Sequence, residues 1–158
     1  MNLPLITGSA EIKTEPAYAA PPCPPYTYLG IAQALMQGVH TLAGASPHSG
    51  ISLAHLSAHA AECALKAFLS RDGLDTRLKA EGLRHNPVAL WNAAVCEGLA
   101  VADAPPSWLT VLSQLHDRPY HLRYSTGING IVTPSPQPMA TELEALVTQV
   151  AKQLGLGR

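Results

Sequence analysis

Three observations predict an all-α protein, a four- to five-helix up-and-down bundle carrying an extended proline-rich N-terminal arm. Apolar residues recur at helical spacing in five segments, proline and glycine clusters separate those segments, and no two runs of alternating hydrophobicity pair into a strand hairpin. With 158 residues, 47% of them hydrophobic, the chain can bury about 68–70% of the surface it exposes when unfolded, so no metal or disulfide staple is required. One bundle domain over residues 28–158, preceded by an arm over residues 1–27, is the expected organisation.

Residues 1 to 25 hold six of the 14 prolines, and Pro21-Pro22-Cys23-Pro24-Pro25 cannot be helix, because proline lacks the backbone donor and restricts its predecessor to extended conformations. From Tyr28 to Leu42 the spacing of Tyr28, Ala32, Leu35, Val39 and Leu42, flanked by Ile31 and Met36, predicts a first helix that Gly44 and Pro47 end. The second runs from about Ser52 to Ser70 and is apolar around most of its circumference. Its polar residues His55, His59, Glu62 and Lys66 fall within a stripe roughly 60° wide at about 100° per residue. Such a helix belongs in the centre of a bundle.

Asn86 as N-cap and Pro87 in the first helical position open a third helix with Val88, Leu90, Trp91, Val95 and Leu99 inward. Pro105-Pro106 opens a fourth, with Trp108, Leu109, Leu112 and Leu115 inward, ending before Pro119. Tyr120 to Pro138 reads as irregular, and Met139, Leu143, Leu146, Val147, Val150 and Leu154 trace a last amphipathic helix that stops at Gly155.

Composition also bounds function. Ten Lys+Arg against 11 Asp+Glu leave a formal net charge of −1, which provides no bulk attraction for nucleic acid or an anionic membrane and excludes a general nucleic-acid-coating protein. Charged residues are 13% of the chain where an ordinary soluble protein has about 25%, so a lone bundle has few charges to cover itself and a homodimer is expected. Cys23, Cys63 and Cys96 are odd in number and far apart, which predicts reduced thiols. There is neither a secretory-type start nor a run of about 18 apolar residues, so a cytoplasmic protein without membrane contact is expected.

Three clusters carry candidate chemistry. His55-x-x-x-His59-x-x-Glu62 has metal-like i, i+4 spacing but lacks the Glu next to the first His that a zincin needs, and one helix rarely supplies three ligands. The reading is therefore no metal and a surface stripe, reinforced by an i, i+4 Glu62–Lys66 pair worth about 0.3–0.5 kcal/mol. Arg84-His85-Asn86-Pro87 places a cation and an imidazole at a helix N-terminus, which favours bound anions. His121-Leu122-Arg123-Tyr124-Ser125-Thr126-Gly127 places cation, aromatic and hydroxyls beside a glycine, and Arg with Tyr can stack on a base or clamp a phosphate. No G-x-S-x-G, P-loop or dinucleotide fingerprint is present, so no catalytic residue or cofactor is assigned.

The second and third helices, Ala58-His59-Ala60-Ala61-Glu62-Cys63-Ala64-Leu65-Lys66-Ala67-Phe68-Leu69 and then His85-Asn86-Pro87-Val88-Ala89-Leu90-Trp91, resemble the HEPN family of helical, nucleotide-binding domains. The resembling stretch covers roughly residues 28 to 124, with Glu62, Leu65, Lys66, Ala67, Leu69, His85 and Leu90 at the matching positions. The resemblance implies a four- or five-helix bundle, frequently a homodimer, encoded beside a nucleotidyltransferase or acting in toxin–antitoxin and defence systems. Catalytic members are metal-independent ribonucleases with Arg, four to six residues, then His. Here seven residues intervene between Arg77 and His85 and two between Arg118 and His121, so neither pair has that spacing. His85 is followed by Asn86-Pro87 where the family carries an acidic residue and a leucine. The resulting expectation is a non-enzymatic domain that binds a nucleotide, an RNA end or a partner protein through Glu62, Lys66, Arg84, His85, His121, Arg123 and Tyr124. Two alternatives stand beside it. One is a ribonuclease assembled across a dimer from Arg77 or Arg118 with His85, His116 or His121; the other is a structural partner of a nucleotidyltransferase or defence protein.

Overall fold

The computed structural model describes residues 22–45, 49–117, 120–122 and 130–156. Most of the proline-rich arm, and Arg123 and Tyr124 with it, therefore lie outside the described residues. Five α-helices and no strand occur among those described: α1 (Tyr26–Ala43), α2 (Gly50–Leu69), α3 (Pro87–Cys96), α4 (Ser107–His116) and α5 (Pro136–Gln153), with a short 3₁₀ turn at Thr76–Lys79. The all-α bundle expected from periodicity is what the chain forms.

α2 is the hub. It packs against α1, α3, α4 and α5, while α1 also meets α5 and α3 also meets α4. Fourteen of its 20 residues are buried, as a helix apolar on nearly every side requires. One hydrophobic core draws on all five helices, from Leu29 and Val39 through Leu65, Leu90 and Leu112 to Leu143 and Val150.

Local chemistry sets the helix ends. The Asn86 side chain accepts from the Ala89 backbone N–H at 2.9 Å, and Pro87 occupies the first turn, where no intrahelical donor is missed. α1 stops at Gly44, whose N–H reaches back to the His40 carbonyl at 3.2 Å. α5 begins at Pro136, inside the segment read as irregular, because prolines at 136 and 138 fall in a first turn whose N–H groups have no helical partner.

Two expectations are corrected. The core stripe of α1 is Leu29, Ala32, Met36, Val39 and Ala43, with Tyr28, Leu35 and Leu42 only partly buried. The stripe is rotated because α1 faces both α2 and α5, and because the Tyr28 hydroxyl sits where it can donate to Asp75 Oδ2 at 3.1 Å. Nor is the polar stripe of α2 a solvent face at its C-terminal half: Glu62 is 5% and Lys66 6% exposed. α3 and α4 cover it, so an ion pair expected at the surface is enclosed.

Candidate functional site

Three separate elements bring the buried polar cluster together. α2 supplies Glu62 and Lys66 one turn apart, the junction before α3 supplies His85, and the last turn of α4 supplies His116. Asn86 fixes the geometry of that junction, since the same Oδ1 that caps α3 also accepts from Ser113 Oγ of α4 at 3.3 Å. The run His85-Asn86-Pro87 thus starts a helix, ties it to its neighbour and aims the preceding imidazole at α2.

Both oxygens of Glu62 are engaged. Lys66 Nζ donates to Oε1 at 2.7 Å, while His116 Nε2 lies 2.7 Å and His85 Nδ1 3.2 Å from Oε2. Lys66 also donates to the Arg84 backbone carbonyl at 2.7 Å, and its ammonium stands 5.9 Å from the centre of the Tyr28 ring. The imidazoles stack edge-on: His116 lies 6.2 Å from His55 and 5.9 Å from His85, which in turn lies 6.1 Å from Tyr120. His116 is 1% exposed and its Nδ1 meets no hydrogen-bond partner among the described residues, whereas the His85 side chain is 23% exposed. With Nδ1 turned to Glu62, His85 has Nε2 as its second hydrogen-bonding atom.

Burial alone would push the Glu62 carboxyl up, but hydrogen bonds from His116 and Lys66, with their charges, outweigh it and hold the group at about 2. Burial pushes the neighbouring Cys63 thiol up to about 12, with the Glu62 charge adding and Lys66 partly offsetting, so this thiol is not a nucleophile. Cys23 and Cys96 are exposed and Cys63 buried, and none of the three is in a disulfide.

A pH dependence follows with a definite sign. The folded carboxyl titrates below its ordinary value of 4.5, so the stability it contributes is full above that pH and is lost as pH falls toward about 2. The difference is on the order of 3 kcal/mol. In urea unfolding, the stability gap between the native chain and Glu62→Gln should therefore be constant from pH 7 to 5 and shrink steadily from pH 4 to 2.5. A gap that stays unchanged at pH 2.5 contradicts the role given to Glu62.

Of the residues singled out from sequence, Glu62, Lys66 and His85 converge. Arg84 contributes its carbonyl to Lys66 and is itself exposed. His121 lies against α4, where it lines a recess of about 340 Å³ with Val111, Gln114, Leu115 and Ile131. His55 and His59 are half-buried, and the face that meets Glu62 is made by His85 and His116 instead. Arg77, the cation of the ribonuclease alternative, donates to Glu97 and to the Leu69 carbonyl, and with Arg71 it fastens the end of α2 to the end of α3. Arg118 lies outside the described residues.

His116 entered the sequence reading only through that alternative. Its signal was present: 116 continues the inward spacing of Leu109 and Leu112, which places an imidazole on a core face. A cavity of about 470 Å³ between α3, α4 and α5, lined by Trp91, Val101, Trp108, Glu142, Leu146 and Gln149, had no sequence signal and shares no residue with the Glu62 cluster. Its carboxylate, Glu142, already accepts from Trp108 Nε1 at 2.6 Å.

Comparison with protein-family models, with curated proteins and with solved structures returns no match for this chain.

Proposed function

We propose that the chain is a non-enzymatic, HEPN-like helical domain that acts as a homodimer and binds a phosphate-bearing ligand, a nucleotide or an RNA end, at the rim formed by His85 and Arg84. The observation that carries this reading is the buried Glu62 carboxylate 3.2 Å from His85 Nδ1, which orients a partly exposed imidazole so that its other ring nitrogen is left for a ligand. The exposed Arg84 side chain and the start of α3 stand beside it and provide the positive end that an anion needs. Lys66 supports this rim from beneath: its ammonium is spent on Glu62 and on the Arg84 carbonyl, so it fixes the backbone rather than reaching outward.

The ribonuclease reading has one observation in its favour, two imidazoles sharing one carboxylate. Acid–base cleavage needs both groups at the scissile phosphate, and His116, at 1% exposed, is sealed from any substrate. Binding is therefore the better account.

A 5′-phosphorylated oligoribonucleotide and ATP, titrated at low salt into the native chain and into His85→Ala, test it. The native chain should bind one of the two, sediment at twice its own mass, and leave the RNA intact in EDTA. His85→Ala should bind about tenfold more weakly with little change in melting temperature. Equal binding by both proteins, or none by either, sinks the reading, and cleavage in EDTA transfers it to the ribonuclease.

A further inference from the structure

We propose that Glu62, His85 and His116 form a site for one divalent transition-metal ion of the zinc class. The three residues come from α2, the junction before α3 and the end of α4, and one donor atom of each lies within 4.8 Å of the other two. Two of the separations, 2.7 Å from His116 Nε2 and 3.2 Å from His85 Nδ1 to the same Glu62 Oε2, are the shorter ones. A tetrahedral ion with bonds of about 2.0–2.1 Å holds its ligands ~3.4 Å apart, so small side-chain rotations suffice to open the cluster around an ion.

The donor set selects the cation. Two imidazoles and one carboxylate suit zinc, cobalt, nickel or copper, whereas calcium and magnesium take oxygen shells. Three protein ligands leave a fourth position open, as in a site that holds water or a ligand oxygen. His85, 23% exposed, is the one of the three ligands that reaches solvent, Glu62 and His116 being enclosed.

Coordination needs a bare nitrogen on each ring, so the proton on His85 Nδ1 and on His116 Nε2 leaves that atom, for the other ring nitrogen or for solvent. Lys66 stays on Oε1, which orients the carboxylate so that Oε2 faces the imidazoles. Lys66 already neutralises Glu62, so the ion keeps its double charge until an added anion such as hydroxide takes the open position and cancels one unit of it. The inference does not depend on the phosphate reading, since metal uptake is measured without nucleotide.

The test uses the untagged full chain, stripped with a chelator and dialysed against cobalt(II) or zinc(II). One equivalent per chain should remain by elemental analysis, and cobalt should give the visible absorption bands of a low-symmetry four- or five-coordinate ion. His85→Gln and His116→Gln should each weaken retention at least tenfold, while His59→Gln and His121→Gln keep it. His85 is half-exposed, so His85→Gln remains a valid test if the buried His116→Gln fails to fold by circular dichroism. Retention below half an equivalent in the native chain, or native-level retention in His85→Gln, overturns the site, whatever RNA or ATP does.

Discussion

Glu62→Gln is expected to destabilise the protein by about 3–5 kcal/mol, the range seen when one partner of an enclosed ion pair is removed and the other is left buried. The substitution preserves shape, so packing does not cause the loss. An amide has one accepting oxygen: turned to Lys66 it presents NH₂ to His85 and His116, and turned to them it presents NH₂ to an ammonium that is 6% exposed. Lys66→Met should be costly for the complementary reason, since the carboxylate then keeps only the imidazoles. The double variant Glu62→Gln/Lys66→Met should be more stable than the sum of the single losses implies, with a coupling of about 1–3 kcal/mol. Urea unfolding of the four proteins at pH 7 reads this directly. Additive losses, or a Glu62→Gln loss below about 1 kcal/mol, mean that the pair is open to water in solution.

That pair shows where sequence reading succeeds and where it stops. The spacing of Glu62 and Lys66 specifies a shared helix face, and the apolar character of the rest of α2 specifies that the helix is central. Neither says whether the polar stripe looks at water or at another helix. The answer depends on His85 and His116, 23 and 54 residues away from Glu62, and distant contacts of that kind are set by how α3 and α4 dock. Where a determinant is local it was legible: Asn86-Pro87 announces a cap and the cap is made. Where two covering helices compete for one stripe, as on α1, periodicity gave the helix but missed its rotation. The irregular start assigned to α5 failed for a local reason, that proline is tolerated in a first turn.

Leu65→Ala is the second large effect expected, about 3–5 kcal/mol, out of a total stability of about 5–15 kcal/mol for a domain of this kind. Leu65 has no exposed surface and sits on the helix that touches all four others, so the space left by its side chain is walled by several helices and cannot collapse by moving one. Ile51, near the start of the same helix, is 57% exposed, and Ile51→Ala should change stability by less than about 0.5 kcal/mol. Both substitutions remove branched aliphatic carbon from α2, so the contrast isolates enclosure from helix propensity, which alanine favours at both positions. Urea unfolding with equal slopes for the two variants makes the comparison clean. Should Leu65→Ala prove as mild as Ile51→Ala, α2 is not the enclosed centre of the bundle, and the enclosure argued for Glu62 on the same helix fails with it.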